Sequence, residues 1–310
     1  MSSNNKILVI LGPTASGKTD LSIVLAKKLV PSKTEGFNGV EIISADSRQV
    51  YRGLDVGSGK ITKNQMQQIS HHLLSIANPK RKFTVAQFQK RALKKIHEIQ
   101  KRDNIPFLVG GTGFYIQSVV DGLVFPEVKP DWRLRKKLAS YKVERLYKML
   151  RKLDPERART IDEKNPVRLI RAIEISLKIP IQPIKKNPQF NVLQIGLKKS
   201  PNELKKLIHK RLQRRIKGII IEVKKLHKND LSWKRLEELG LEYRFFARLL
   251  QGYGGQAQYQ EKQKEMIEKL QKEIEHFAKR QMTWFKRDKR IYWVKNQKEA
   301  EKLLKNFLKN

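Results

Sequence analysis

The run Lys6-Ile-Leu-Val-Ile-Leu11 is apolar without alternation up to Gly12, the pattern of a strand buried on both faces of a parallel sheet. It leads into Gly12-Pro-Thr-Ala-Ser-Gly-Lys-Thr19, after which Leu21, Val24, Leu25 and Leu29 recur at helical spacing until Pro31 stops the pattern. A second strand is predicted at Val40 to Ser44, running into Asp46, and a third at Pro106 to Val109, running into Gly110-Gly-Thr-Gly113. Between them Val85, Phe88, Ala92, Leu93 and Ile96 form one helical stripe. Alternating units of this kind build an α/β fold, a doubly wound parallel sheet with its ligands at the carboxyl ends of the strands.

From Leu123 onward the texture changes to charged helical patterns punctuated by Pro126, Pro130, Pro155, Pro166, Pro180, Pro183 and Pro188, with no obvious strand. Residues 123–189 are therefore read as a helical insertion, flanked by a first core part at 1–122 and a return to the core at 190–310. The return begins with a strand at Val192 to Leu197, continues through helical stripes at Leu204, Leu207, Ile208 and Leu212 and at Ile267, Leu270, Ile274, Phe277 and Ala278, and closes on a short strand at Ile291 to Val294. The polar segment Gly252 to Gln263 reads as a loop or helix start. No fixed-period repeat is present.

Composition adds one strong constraint. Lys and Arg number 67 against 30 Asp and Glu, giving a formal charge of +37 on 310 residues, and such an excess favours a polyanionic partner, nucleic acid first. The chain has no cysteine, which excludes disulfides, thiolate nucleophiles and cysteine-ligated metal sites. Its first apolar stretch, Ile7 to Leu11, is too short for a signal-peptide core or a membrane span. A soluble cytoplasmic protein, not bound to membrane and monomeric, is the expectation.

The chemistry concentrates at predicted strand ends. Gly12 to Thr19 has the GxxxxGKT spacing between a strand and a helix, the context that makes it a phosphate loop. In it the backbone of Gly12, Thr14, Ala15, Ser16 and Gly17 would wrap a diphosphate or triphosphate, Lys18 would neutralise its oxygens, and the Thr19 hydroxyl would hold Mg²⁺. Asp46, within Ser44-Ala-Asp-Ser-Arg-Gln-Val-Tyr51, would face that loop as a metal ligand, as a general base, or only as a cap on the following turn. Thr112 holds the analogous place after the third strand, as a ligand contact or a turn-forming hydroxyl. His71-His72 lacks a third ligand at metal-binding spacing. Lys279 to Arg290 interleaves six cations with Trp284 and Phe285, a basic and aromatic face suited to RNA.

These motifs resemble one family, the tRNA dimethylallyltransferases. The matching stretches are GPTASGKT, SADSRQVYRGLDVGSGK at 44–60, HHLLSI at 71–76, GGTGFYIQSVVDGL at 110–123, VRLIRAIEI at 167–175, VLQIGL at 192–197 and KRQMTWFKR at 279–287, in order over nearly the whole chain. The resemblance implies transfer of a dimethylallyl group from dimethylallyl diphosphate to N6 of the adenine 3′ of the tRNA anticodon. It implies Asp46 as the base, Thr112 beside the acceptor adenine, and Lys18 and Mg²⁺ on the leaving group. It further implies tRNA contacts at Asp46, Ser47, Arg48, Gln49, Arg133, Arg168, Arg171, Arg244, Lys279, Arg280, Trp284 and Arg287, with the insertion clamping the anticodon stem-loop. Three features depart from the family pattern: Ser75 in place of an aspartate, the stretch Leu239-Gly-Leu-Glu-Tyr-Arg244, and a helix at Arg211 to Val223 that reads as shortened. Arg211, Arg214 and Arg215 are therefore expected only as phosphate or tRNA contacts. No zinc finger is appended at the C-terminus, which implies a bacterial-type enzyme. The competing readings are a small-molecule or nucleoside kinase on the same loop, an isopentenyltransferase acting on free adenine nucleotides, and an RNA-binding protein with a vestigial loop.

Overall fold

A computed structural model of the chain describes residues 5–29, 37–179, 185–252 and 256–309. They form β1 (Lys6–Leu11), α1 (Lys18–Leu29), β2 (Gly39–Ser44), α2 (Lys63–Met66), β3 (His71–His72), α3 (Val85–Gln100), β4 (Asn104–Gly110) and α4 (Gly113–Val120). Four helices follow, α5 (Trp132–Ala139), α6 (Val143–Leu153), α7 (Pro155–Thr160) and α8 (Pro166–Ser176), and then β5 (Asn191–Leu197). The remainder is α9 (Pro201–Lys228), α10 (Trp233–Glu238), α11 (Leu241–Gln251), α12 (Gln256–Phe285), β6 (Ile291–Val294) and α13 (Gln297–Lys309). The chain divides into two compact units, Met1–Val120 with Gln189–Asn310, and Asp121–Pro188, against the expected insertion of 123–189.

The first unit is an α/β fold on a six-stranded, all-parallel sheet in the order β3-β2-β4-β1-β5-β6. The unbroken apolar runs are unbroken because both faces are covered. Ile7, Val9 and Leu11 of β1 pack with Phe88, Ala92 and Ile96 of α3 and with buried residues of α9, α11 and α12, while Leu8 and Ile10 pack on the other side with Leu21, Leu25, Ala300 and Leu304 of α1 and α13. Since β1 pairs with β4 on one side and β5 on the other, the direction of winding reverses at β1. A ligand crevice is therefore expected outside its carboxyl end.

The structure changes several sequence-based expectations. The third strand in chain order is the two-residue edge strand at His71–His72, so the predicted third strand is β4. One ring nitrogen of each histidine is engaged within the fold: His72 Nε2 lies 2.6 Å from Glu41 Oε2 and His71 Nδ1 lies 2.8 Å from the Ile69 carbonyl. Among the described residues no group of three His, Asp or Glu side chains converges on a cation site. The stretch read as a shortened helix lies inside α9, a continuous helix of 28 residues that opens on a Ser200/Glu203 capping box with Pro201 in its first turn. Its buried stripe is Leu204, Ile208, Leu212, Ile219, Val223 and Leu226, with Leu207 left outside. Ile23 takes the buried place expected of Val24 in α1, and Phe277 of α12 is half-exposed. Of the polar segment Gly252 to Gln263, Gln256 onward is helical, while Tyr253 to Gly255 lie outside the described residues, as do Pro31, Pro180 and Pro183.

The second unit packs Leu138, Leu146, Leu150, Leu169 and Ile173 into a core of its own. Inside it the fully buried Glu174 accepts from the Asp131 N–H at 2.6 Å, from Arg135 Nε and Nη2 at 2.9 and 2.7 Å, and from Arg171 Nη1. Burial alone would raise this carboxyl, but hydrogen bonds from Arg135, Asp131 and Arg171 outweigh it and hold the pKa down to about 2. The stabilisation is fully present above the unfolded value near 4.5 and is lost as pH falls through about 2. Glu174→Gln leaves two guanidinium groups short of a counter-charge and is expected to cost about 3 kcal/mol in urea unfolding at pH 7, with the deficit shrinking as both proteins are taken toward pH 2.

Candidate active site

The loop after β1 departs from extended backbone because the chain must reverse onto α1. Ala15 and Gly17 adopt left-handed φ values of 61° and 90°, which turns successive N–H groups toward one point as an anion nest. Two of the six N–H groups from Thr14 to Thr19 are already committed. Ser16 donates to the Pro13 carbonyl at 3.3 Å, and Thr14 donates to Gln281 Oε1 at 2.8 Å. Those of Ala15, Gly17, Lys18 and Thr19 have no partner among the described residues, and the buried Ser16 hydroxyl is likewise unpartnered. Of the backbone donors from Thr14 to Thr19, four remain for an anion, together with the Ser16 hydroxyl.

Two cations flank this nest. Lys18 Nζ donates to the Pro13 carbonyl at 2.6 Å, and Arg211 Nη1 from α9 donates to Thr14 Oγ1 at 3.3 Å. A third, Arg215, one turn further along α9, donates through Nε to the Val56 carbonyl at 2.7 Å and through Nη2 to the Gly57 carbonyl. Desolvation and repulsion from Arg211 lower the Lys18 pKa to about 7, with Asp46 opposing. Desolvation and the same Arg211 charge also lower Arg215. Partly buried cations set beside one another in this way mark a candidate site for a multiply charged anion.

Asp46 and Thr112 meet at the neighbouring strand ends. Gly110 closes β4 so tightly against β2 that a β-carbon there would lie 2.2 Å from the Ala45 carbonyl oxygen; only glycine admits that approach. Thr112 N–H then donates to the Ala45 carbonyl at 3.2 Å, and Thr112 Oγ1 accepts from the Ser47 N–H at 3.0 Å. Asp46 Oδ1 accepts from the N–H groups of Arg48 and Gln49 at 2.8 and 3.2 Å, so the capping role foreseen as one alternative is present. It uses one oxygen only. Nothing among the described residues donates to Oδ2. Of the two parts foreseen for Thr112, the structure shows the turn-forming one.

Sequence reasoning missed the residue that joins these halves. Gln281 of α12 accepts from the Thr14 N–H, 267 residues away, and donates through Nε2 to the Gly111 carbonyl at 2.8 Å. Its only sequence signal was membership of the KRQMTWF stretch. Phe114 was also missed: half-exposed, it meets the partly buried Trp284 edge-on at 6.2 Å between ring centres, beside Thr112. Phe285 belongs to the core.

The remaining expected contacts separate into free and committed cations. Lys279 and Arg280 are exposed on α12, and Arg287, exposed in the turn just after it, lies 5.9 Å from the Trp284 ring centre. Arg48 and Arg244 are exposed and donate to the Glu238 carbonyl at 3.4 Å and the Glu237 carbonyl at 3.3 Å. Ser47 and Gln49 lie on the Asp46 turn. In the second unit Arg133 and Arg168 are exposed, whereas Arg171 is committed to Glu174 and the Val128 carbonyl. That side chain holds the unit together. Trp132, 69% exposed with the Arg135 guanidinium 5.2 Å from its ring centre, is an aromatic beside Arg133 that sequence reasoning passed over.

Comparison with known proteins gives a consistent result. The model of the IPP transferase family matches residues 49–288. The chain is 36% identical to the tRNA dimethylallyltransferase of Acetivibrio thermocellus over 98% of its own length and 96% of that protein. It is 40% identical to tRNA dimethylallyltransferase 1 of Syntrophus aciditrophicus over 93% of each. Among solved structures, the full-length tRNA isopentenylpyrophosphate transferase from Bacillus halodurans is 33% identical, with a TM-score of 0.71 over 98% of this chain and 97% of that one. A eukaryotic dimethylallyltransferase acting on tRNA is 25% identical, with a TM-score of 0.73 over 94% and 74%.

The Lys18 geometry has a measurable outcome. Above about pH 7 the free protein loses this proton, and a bound diphosphate, favouring the charged form, recovers it. Calorimetric titration with inorganic pyrophosphate at pH 8, in two buffers of different ionisation enthalpy, is expected to show more proton uptake by the natural protein than by Lys18→Arg. The affinity of the natural protein should fall relative to that of the variant as pH rises above 7.

Proposed function

This chain belongs to the IPP transferase family, and on that premise we propose that it transfers a dimethylallyl group from dimethylallyl diphosphate to N6 of the adenine 3′ of the anticodon in tRNA, releasing diphosphate. The observation that carries the reading is the juxtaposition at one sheet edge of an anion nest, flanked by Lys18 and Arg211, with an aspartate whose second oxygen is open. Asp46 lies close enough to the nest for its charge to act on Lys18. A kinase would share the nest, but the family relationship and the basic, aromatic face of α12 favour an RNA acceptor.

The reaction follows from these groups. The N6 lone pair is delocalised into the adenine ring and is a weak nucleophile. As the N–C bond forms at the allylic carbon and the C–O bond breaks, the bonding pair leaves with the diphosphate, and the N6 proton passes to Asp46 Oδ2. Lys18, Arg211 and the unpartnered N–H groups meet the negative charge as it grows on the leaving group, in a nest that needs no reorganisation. Thr112, through Ser47, holds the turn that aims Asp46.

The donor set also fits Mg²⁺. Thr19 is exposed at the start of α1, and among the described residues its hydroxyl has no partner. A single hard oxygen suits an ion that takes few protein ligands and fills its shell with phosphate oxygens and water. When bound, the ion neutralises charge on the diphosphate. Exposed Arg133, Arg168, Lys279, Arg280 and Arg287 supply phosphate contacts for tRNA, and Trp284 with Phe114 a stacking surface. Among the described residues no helix is long and apolar enough to cross a membrane.

Incubation with labelled dimethylallyl diphosphate, Mg²⁺ and unmodified tRNA is expected to place label in the tRNA. Turnover of ATP with a small acceptor, or equal rates on AMP and tRNA, would contradict the assignment. Asp46→Asn removes the proton acceptor while keeping size and polarity. Its single-turnover rate is expected to fall by at least about 100-fold, with the affinities for tRNA and prenyl diphosphate little changed. A variant that retained near-normal rates would show that Asp46 serves only as a cap.

A further inference from the structure

Arg211 touches the anion nest, but its position is set elsewhere. Arg211, Arg215 and Glu222 lie along one face of α9, and opposite them runs the turn from Asp55 to Lys60. Glu222 is buried and receives four donors. Its Oε2 accepts from the N–H groups of Asp55 and Val56 at 2.8 and 2.7 Å, and its Oε1 from the Gly57 N–H at 2.9 Å and the Tyr243 hydroxyl at 2.7 Å. Tyr243 Oη in turn accepts from the Ser58 N–H at 3.1 Å. One carboxylate and one phenol therefore satisfy four consecutive backbone donors, while Arg215 takes the carbonyls of Val56 and Gly57.

The turn so held ends at Gly59, whose φ is +61° and where a β-carbon would lie 1.9 Å from Arg211 Nη2. The guanidinium rests on bare backbone. The Gly59 carbonyl accepts from Gln49 Nε2 at 3.3 Å, so the same turn reaches the strand end that carries Asp46. Lys60, nearly buried, ties down the far side through the Tyr51 carbonyl at 2.8 Å, Asp55 Oδ1 at 2.6 Å and Ser75 Oγ at 2.7 Å. Ser75, the departure noted in the sequence, thus keeps a hydrogen bond, and Asp55 supplies the carboxylate partner.

We propose that Glu222 is a positioning residue of the diphosphate site: by holding residues 55–57 it seats Gly59 beneath the Arg211 guanidinium and fixes that cation beside Thr14. The inference rests on reading the loop at Gly12 to Thr19 as a diphosphate site. Glu222→Gln keeps the volume but replaces an acceptor oxygen with a donor, and so releases the turn. Gly59→Ala leaves Glu222 intact and displaces Arg211 by steric contact, with the backbone strain of a side chain at a φ of +61°.

The test is a double-mutant cycle on pyrophosphate binding in Mg²⁺, by calorimetry. Arg211→Ala is expected to weaken binding roughly tenfold or more, as loss of a charged contact does. Glu222→Gln and Gly59→Ala should each weaken it several-fold, and neither should weaken it further once Arg211 is alanine. In turnover assays both should raise KM for dimethylallyl diphosphate and leave KM for tRNA unchanged, a split that general loss of stability would not produce. Losses that multiply with that of Arg211→Ala, or a Gly59→Ala protein that binds pyrophosphate normally, would overturn the proposal. Failure of the unmutated protein to bind pyrophosphate would instead remove the diphosphate reading itself.

Discussion

Electrostatic crowding around the loop after β1 is the constraint on which the rest of the site depends. Lys18, Arg211 and Arg215 stand close enough that desolvation and mutual repulsion lower the pKa of Lys18 and of Arg215. Such an arrangement is unfavourable in the empty protein and is maintained by packing: α9 is anchored through its apolar stripe, and Arg215 is satisfied by backbone carbonyls. On the proposed function, a diphosphate would relieve the repulsion, and most when its charge is greatest. Interactions that strengthen as charge develops accelerate the chemical step beyond what binding alone provides.

Around that charge cluster the structure is braced by groups remote in sequence. The sheet register places the ends of β1, β2 and β4 side by side, the close approach at Gly110 draws Thr112 and Asp46 into one network, and Gln281 ties both to the phosphate loop. Each tie uses backbone groups that the departing strands leave unpaired, so hydrogen-bond satisfaction and site assembly are the same event. Neither Asp46 nor Thr112 needs a buried ion pair to hold its position.

The large positive charge divides by environment. Arg135 and Arg171 are committed to Glu174, Arg102 to Glu41, and Arg235 to backbone carbonyls and Glu238. These cations stabilise local structure and are poorly placed to meet a polyanion. On the proposed function, exposed cations such as Arg133, Arg168, Lys279, Arg280 and Arg287 would release counterions from RNA. A net charge of +37 is therefore an upper bound on the charge that serves binding.

Much was legible in the linear sequence, because local rules wrote it. Unbroken apolar runs specify strands covered on both faces, the GxxxxGKT spacing specifies an anion nest between strand and helix, and strand ends specify where Asp46 and Thr112 lie. The short pairing of His71–His72, the single-oxygen cap of Asp46 and the commitment of Arg171 were not legible. Nor were the bridging role of Gln281 and the clamp of Glu222 on the turn at 55–58. Each of these is decided by which chain segments lie within about 3 Å of one another, the range over which hydrogen bonds form. Sequence spacing determines the face a residue occupies. Only the packed structure decides whether a charge on that face meets a partner carboxylate, a row of backbone N–H groups or open solvent.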